Sequence, residues 1–85
     1  MSAPGINTHI LPSHSVTALR ALAEHGPLAR SEIVTATGMS NERVHDALRS
    51  LKYRNLAGSQ RTRSVYVWHL TPRGIRCLER MERAA

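Results

Sequence analysis

The sequence predicts a small α+β domain, mainly helical with one β-hairpin. Apolar residues recur at helical spacing in four stretches, 16–23, 33–36, 44–51 and 75–81. Only one stretch, Val65-Tyr66-Val67-Trp68, has the β-branched and aromatic character of a strand. Gly26-Pro27, Gly38 and Asn55 punctuate the chain between these stretches. With 85 residues there is room for one small domain. One Trp, two Tyr and no Phe leave an aliphatic core, thin enough that the short helices need one another and a partner subunit is expected.

Residues 1–12 mix Ser, Ala, Pro, Gly, Asn and Thr without an apolar period and read as a flexible N-terminal arm, with the domain proper at 13–85. Ser13 or Ser15 can cap a first helix with Val16, Leu19, Leu22 and Ala23 inward, stopped by His25, Gly26 and Pro27. A short strand can precede the second helix, Arg30 to Thr37. That helix has Glu32 near its positive end, Ile33, Val34 and Ala36 inward, and Gly38 as its stop.

Met39 then packs inward and Ser40 caps a third helix at 41–54, lined by Val44, Ala47, Leu48 and Leu51. The opposite face carries Asn41, Glu42, His45, Asp46 and Arg49, with Arg43 at the flank. Asn55 suits the left-handed stop. Extended segments are expected at Leu56–Ser59 and Val65–Leu70, joined by the basic tip Gln60-Arg61-Thr62-Arg63-Ser64. Tyr66, Trp68 and Leu70 share one face and Val65, Val67 and His69 the other. Thr71-Pro72 opens the last helix, which runs to about Arg83 with Ile75, Leu78 and Met81 in an apolar stripe beside Cys77.

Composition narrows the function. The net charge is +6, and eleven of the twelve cations are Arg, whose planar fork grips phosphates and guanine edges. From Ala47 to Leu78 there are seven cations and no Asp or Glu. A polyanionic partner, foremost nucleic acid, follows. The single Cys77 excludes an internal disulfide and a multi-thiolate zinc site, and the five His are spaced too irregularly for a ligand set, so no metal or cofactor is expected. Neither a phosphate-cradling Gly-rich loop nor a nucleophile motif is present, which argues against an enzyme. No apolar run approaches the roughly 18 to 20 residues that span a bilayer, and the N-terminus lacks the order of a secretory signal, so a cytoplasmic location is expected.

Helix, short helix, tight turn, helix, basic-tipped hairpin, helix is the order of a winged helix-turn-helix. Gly26-Pro27-Leu28-Ala29-Arg30-Ser31-Glu32-Ile33 resembles the opening of that motif in MarR-like and ArsR-like bacterial regulators. Thr37-Gly38-Met39-Ser40 is similar to their turn, and Val44-His45-Asp46-Ala47-Leu48-Arg49-Ser50-Leu51 to their recognition helix. Leu70-Thr71-Pro72-Arg73-Gly74 resembles their strand-to-helix junction. The resemblance covers roughly residues 15 to 80.

It implies a sequence-specific, double-stranded DNA-binding regulator, a repressor in the main reading, of bacterial or phage origin. Helix 41–54 would enter the major groove and wing 59–64 would reach the flanking backbone or minor groove. Ser40, Asn41, Glu42, Arg43, His45, Asp46 and Arg49 are the candidate residues on the helix. Arg30, Arg54, Arg61, Thr62 and Arg63 are those for the wing and backbone, Arg61 and Arg63 pointing the same way from an extended tip. Ile75, Leu78 and Met81 are candidates for a homodimer contact. Glu42 and Asp46 depart from a phosphate-seeking face, and they motivate an alternative: a winged-helix protein-interaction module, of phage or mobile-element accessory type, binding an acidic protein partner.

Overall fold

The computed structural model describes residues 11–84. Its four helices are α1 (Ser13–His25), α2 (Arg30–Thr37), α3 (Asn41–Tyr53) and α4 (Pro72–Ala84). The strands β1 (Leu28–Ala29), β2 (Ala57–Thr62) and β3 (Val65–Leu70) form one sheet in the order β1-β3-β2, antiparallel throughout. Leu28 lies opposite Trp68 and Ala57 opposite Leu70, so β3 ties the segment before α2 to the hairpin. This is the winged-helix arrangement that the sequence predicts.

The core lies where α1, α2 and α3 converge on the sheet. Leu19, Ile33, Val44, Leu48 and Leu51 are its largest fully buried apolar side chains, each stabilising by about 1.5–3 kcal/mol. Trp68, Leu70, Cys77 and Met81 pack half-buried around them. Most of the expected arm, residues 1–10, lies outside the described residues. Leu11 is 8% exposed and belongs to the core, which therefore begins before Ser13. Two residues expected inside are exposed: Ala23 falls at the edge of the buried arc of α1, beside half-buried Val16, and Ala36 falls on the outer side of Ile33.

Neither Ser13 nor Ser15 caps α1. The Pro12 carbonyl accepts the N–H groups of Ser15 at 3.0 Å and Val16 at 3.2 Å, so Pro12 holds the cap position. Ser15 is turned into the core at 0% exposure, where its Oγ has no hydrogen-bond partner among the described residues. A buried hydroxyl without a partner destabilises. Ser15→Ala is therefore expected to stabilise the domain by about 1 kcal/mol, seen as a higher denaturant midpoint at unchanged slope. A lower midpoint would show that the hydroxyl is satisfied.

The turns around α3 follow local chemistry. Gly38 adopts φ 75° and its N–H closes α2 on Val34 O at 2.9 Å. Ser40 Oγ accepts the Arg43 N–H at 3.1 Å, as an N-cap should. At the other end Asn55 takes φ 61°. Its N–H donates to Lys52 O and the Leu56 N–H to Leu51 O, which is a Schellman closure with Leu56 set into the core.

The chain returns to this corner after the hairpin. Thr71 N–H donates to Leu56 O at 3.1 Å, and Thr71 Oγ1 donates to Asn55 O at 2.7 Å while accepting the Gly74 N–H at 3.0 Å. The C-terminus of α3 and the N-terminus of α4 are thus joined by one threonine. Gly74 is buried there, and a Cβ on it would fall on the Leu56 carbonyl.

The hairpin differs from expectation. The strands continue to Thr62 and resume at Val65, leaving only Arg63 and Ser64 in the turn. Arg63 has φ 59°, so it does not follow Arg61 along an extended tip. A two-residue turn with positive φ at its first position alone is of the type II′ kind, which suits the twist of the flanking strands but favours Gly there. Arg63→Gly is expected to stabilise by about 0.5–1 kcal/mol, or a rise of roughly 4 °C in a thermal melt. An unchanged or lower Tm would mean that the turn is not strained.

Candidate nucleic-acid interface

A cleft of about 660 Å³ runs between α3 and the hairpin. The first residue of α2, Arg30, forms one wall. The exposed side chains of Asn41, His45, Arg49 and Lys52 form another, and Tyr66 of β3 closes it on the hairpin side. Arg30 Nη1 approaches His45 Nδ1 to 3.5 Å across the top. Among the described residues, three cations line this cleft and no carboxylate does. The Leu48 and Trp68 side chains beneath belong to the core or pack against it, so the walls stand on a packed floor.

Helical geometry explains the grouping. Asn41, His45 and Lys52 are separated by four and then seven residues, which places them on one stripe facing the hairpin. Glu42, Asp46, Arg49 and Tyr53 form the next stripe, the outermost, ending in Tyr53 at 92% exposure. Arg43 and Ser50 lie on the far shoulder. Ser40 uses one lone pair of its hydroxyl for the Arg43 N–H and keeps its proton free to donate outward.

The wing presents Arg61 directly opposite Tyr66 on the strand pair, with the guanidinium carbon 5.9 Å from the ring centroid. Tyr66, 56% exposed, is thereby a brace for the arginine as well as a wall of the cleft. Thr62 and Arg63 are exposed at the tip.

The remaining candidates fall elsewhere. Arg54 is half-buried and lines a separate depression of about 730 Å³ with Arg73, Arg76 and Arg80, over an apolar floor that includes Leu56 and Cys77. Among the described residues this depression shares none with the cleft. Leu78, at 6% exposure, is spent on the chain's own core, and Met81 packs half-buried against it. Ile75 alone of that stripe is open to solvent, at 46%. Among the described residues no group of His, Cys, Asp and Glu could hold a metal ion.

Lys52 and Tyr66 are among the cleft residues that sequence reasoning did not single out for contact. Lys52 could have been found from its place on the stripe of Asn41 and His45. The pairing of Tyr66 with Arg61 depends on the hairpin register, which its two-residue turn sets.

No protein-family model matches the sequence, and no curated protein matches it. Solved structures do. BpsR of Bordetella bronchiseptica, whose DNA binding is regulated by 6-hydroxynicotinic acid, is 25% identical with a TM-score of 0.80, over 85% of this chain and 57% of that one. The MarR-family transcription regulator SP03579 is 16% identical with a TM-score of 0.83, over 95% and 56%. MepR of Staphylococcus aureus, a transcription regulator of the multidrug efflux pump MepA, is 19% identical with a TM-score of 0.83, over 95% and 62%. The chain thus spans less than two thirds of the length of these neighbours. The fold of this chain is theirs, the winged helix of transcription regulators that include a MarR-family member.

Proposed function

We propose that this chain is the DNA-reading unit of a transcription regulator that binds double-stranded DNA in a sequence-specific manner and acts as a repressor by occluding a promoter. The observation that carries the reading is the cleft between α3 and the hairpin, lined by Arg30, Arg49 and Lys52 with no carboxylate and flanked by Arg61 and Arg63 on the wing. In this reading α3 enters the major groove, with Asn41, His45 and Arg49 toward base edges. Arg30, Lys52 and the Ser40 hydroxyl hold phosphates, and the wing reaches the flanking backbone or minor groove. Similarity to BpsR, whose DNA binding is regulated by 6-hydroxynicotinic acid, supports it.

The regulator acts as a homodimer, exposed Ile75 and half-buried Met81 on α4 contributing to the contact, and works in the cytoplasm of a bacterium or on behalf of a phage. Two copies would set their α3 helices one turn of DNA apart, about 34 Å, on a palindromic operator. No helix among the described residues is long and apolar enough to cross a membrane. Titration of a labelled duplex at several salt concentrations tests the DNA reading, and a flat response would overturn it.

A further inference from the structure

Asp46 is the acid for which the DNA reading must account. It stands on the outermost stripe of α3, exposed, one turn beyond the helix start, where it neither caps the helix nor forms an ion pair among the described residues. Asp is a poor residue for a helix interior, and Glu42 four positions earlier repels it. Glu42 differs, because in the first turn its charge complements the helix dipole. On a face turned to a polyanion, Asp46 opposes binding unless it meets a donor.

The donors available in the major groove are exocyclic amino groups, cytosine N4 and adenine N6. Adenine sets its N7 acceptor beside that amino group, which repels a carboxylate, whereas cytosine offers its amino group without such a neighbour. Arg43 and Arg49, three positions to either side of Asp46, can hold phosphate or guanine around it. Resting on the DNA reading above, we propose that Asp46 is a specificity-determining residue. It accepts a hydrogen bond from cytosine N4 in the major groove and penalises every duplex that presents no amino group at that place.

This assignment predicts effects of opposite sign. Against a duplex selected from a random pool, Asp46→Ala weakens binding about tenfold. Against random duplex the same variant binds more tightly than the unchanged chain, because a repulsive charge is gone. Replacing the contacted cytosine by 2-pyrimidinone, which lacks the amino group, weakens the unchanged chain about tenfold and leaves Asp46→Ala unaffected. Asp46→Asn moves the preferred base from cytosine to adenine. Helical circular dichroism of each exposed-site variant confirms that it is folded.

Equal changes for selected and random DNA in Asp46→Ala overturn the proposal while leaving the DNA reading intact. So does indifference of the unchanged chain to amino-group deletion at every cytosine of the selected site, or selection of adenine there by the unchanged chain. Failure of the unchanged chain to bind any duplex overturns the DNA reading and this assignment with it.

Discussion

Gly74→Ala lowers the melting temperature by about 12 °C or more. The added Cβ falls on the Leu56 carbonyl, which is backbone and already accepts the Thr71 N–H. A flexible side chain could swing away, but here either α4 must slide or the Schellman turn at Asn55 must open. Overpacking against a fixed neighbour costs about 1–3 kcal/mol and more when the backbone must move. At about 3 kcal/mol, and 4–8 °C per kcal/mol for a domain of this size, the shift follows. A domain of 85 residues has about 4–13 kcal/mol to lose. Helix propensity alone would make the substitution favourable by up to about 1 kcal/mol, so a rise in Tm would refute the packing argument.

Raising salt from about 50 to 200 mM weakens duplex binding by about 150- to 500-fold per subunit, on the basis of four to five phosphate contacts. That range corresponds to a slope of about −3.6 to −4.5 in log affinity against log salt. The contacts are assigned to Arg30, Lys52 and the wing. Arg30→Ala and Arg61→Ala should each lessen the slope by about one and weaken all sequences alike. Arg80→Ala, an equal loss of charge from the depression behind the cleft, should leave the slope unchanged. Equal flattening by Arg80→Ala would mean that net charge, and not the cleft, governs the interaction.

The elements legible in the sequence were those whose determinants are local. The second helix runs from Arg30 to Thr37 because Gly38 must end it and the Glu32 carboxylate reaches back to the Ala29 N–H at 2.8 Å. Thr71 caps α4 and Asn55 takes the left-handed stop for equally local reasons. Ser15 was misread because a serine near a helix start suits a cap, and only the tertiary position of Leu11 and Pro12 turns it inward.

The hairpin tip was misread for a related reason. Gln60, Arg61 and Thr62 are polar and resemble loop, yet pairing with Val67, Tyr66 and Val65 keeps them in strand. Within the cleft, the helical spacing made Asn41, His45 and Arg49 visible, whereas the convergence of Arg30 upon His45 depends on how α2 packs on α3. Arg54 parts from the others because the Schellman turn redirects the chain immediately after it.

That turn, and the threonine that joins it to α4, also bear on the entropy of association. Helix α3 and the last strand of the hairpin leave and arrive at the same corner, and β1 fastens the segment before Arg30 to that same strand. The two walls of the cleft are therefore not hinged to each other. In the proposed role, a duplex that receives α3 in its major groove would order side chains at the rim while the backbone frame stays as it was, so that little of the interaction energy would be diverted into fixing the protein's shape. In that role the distance between groove contact and wing contact would be a property of a single chain, whatever separates one copy from the next.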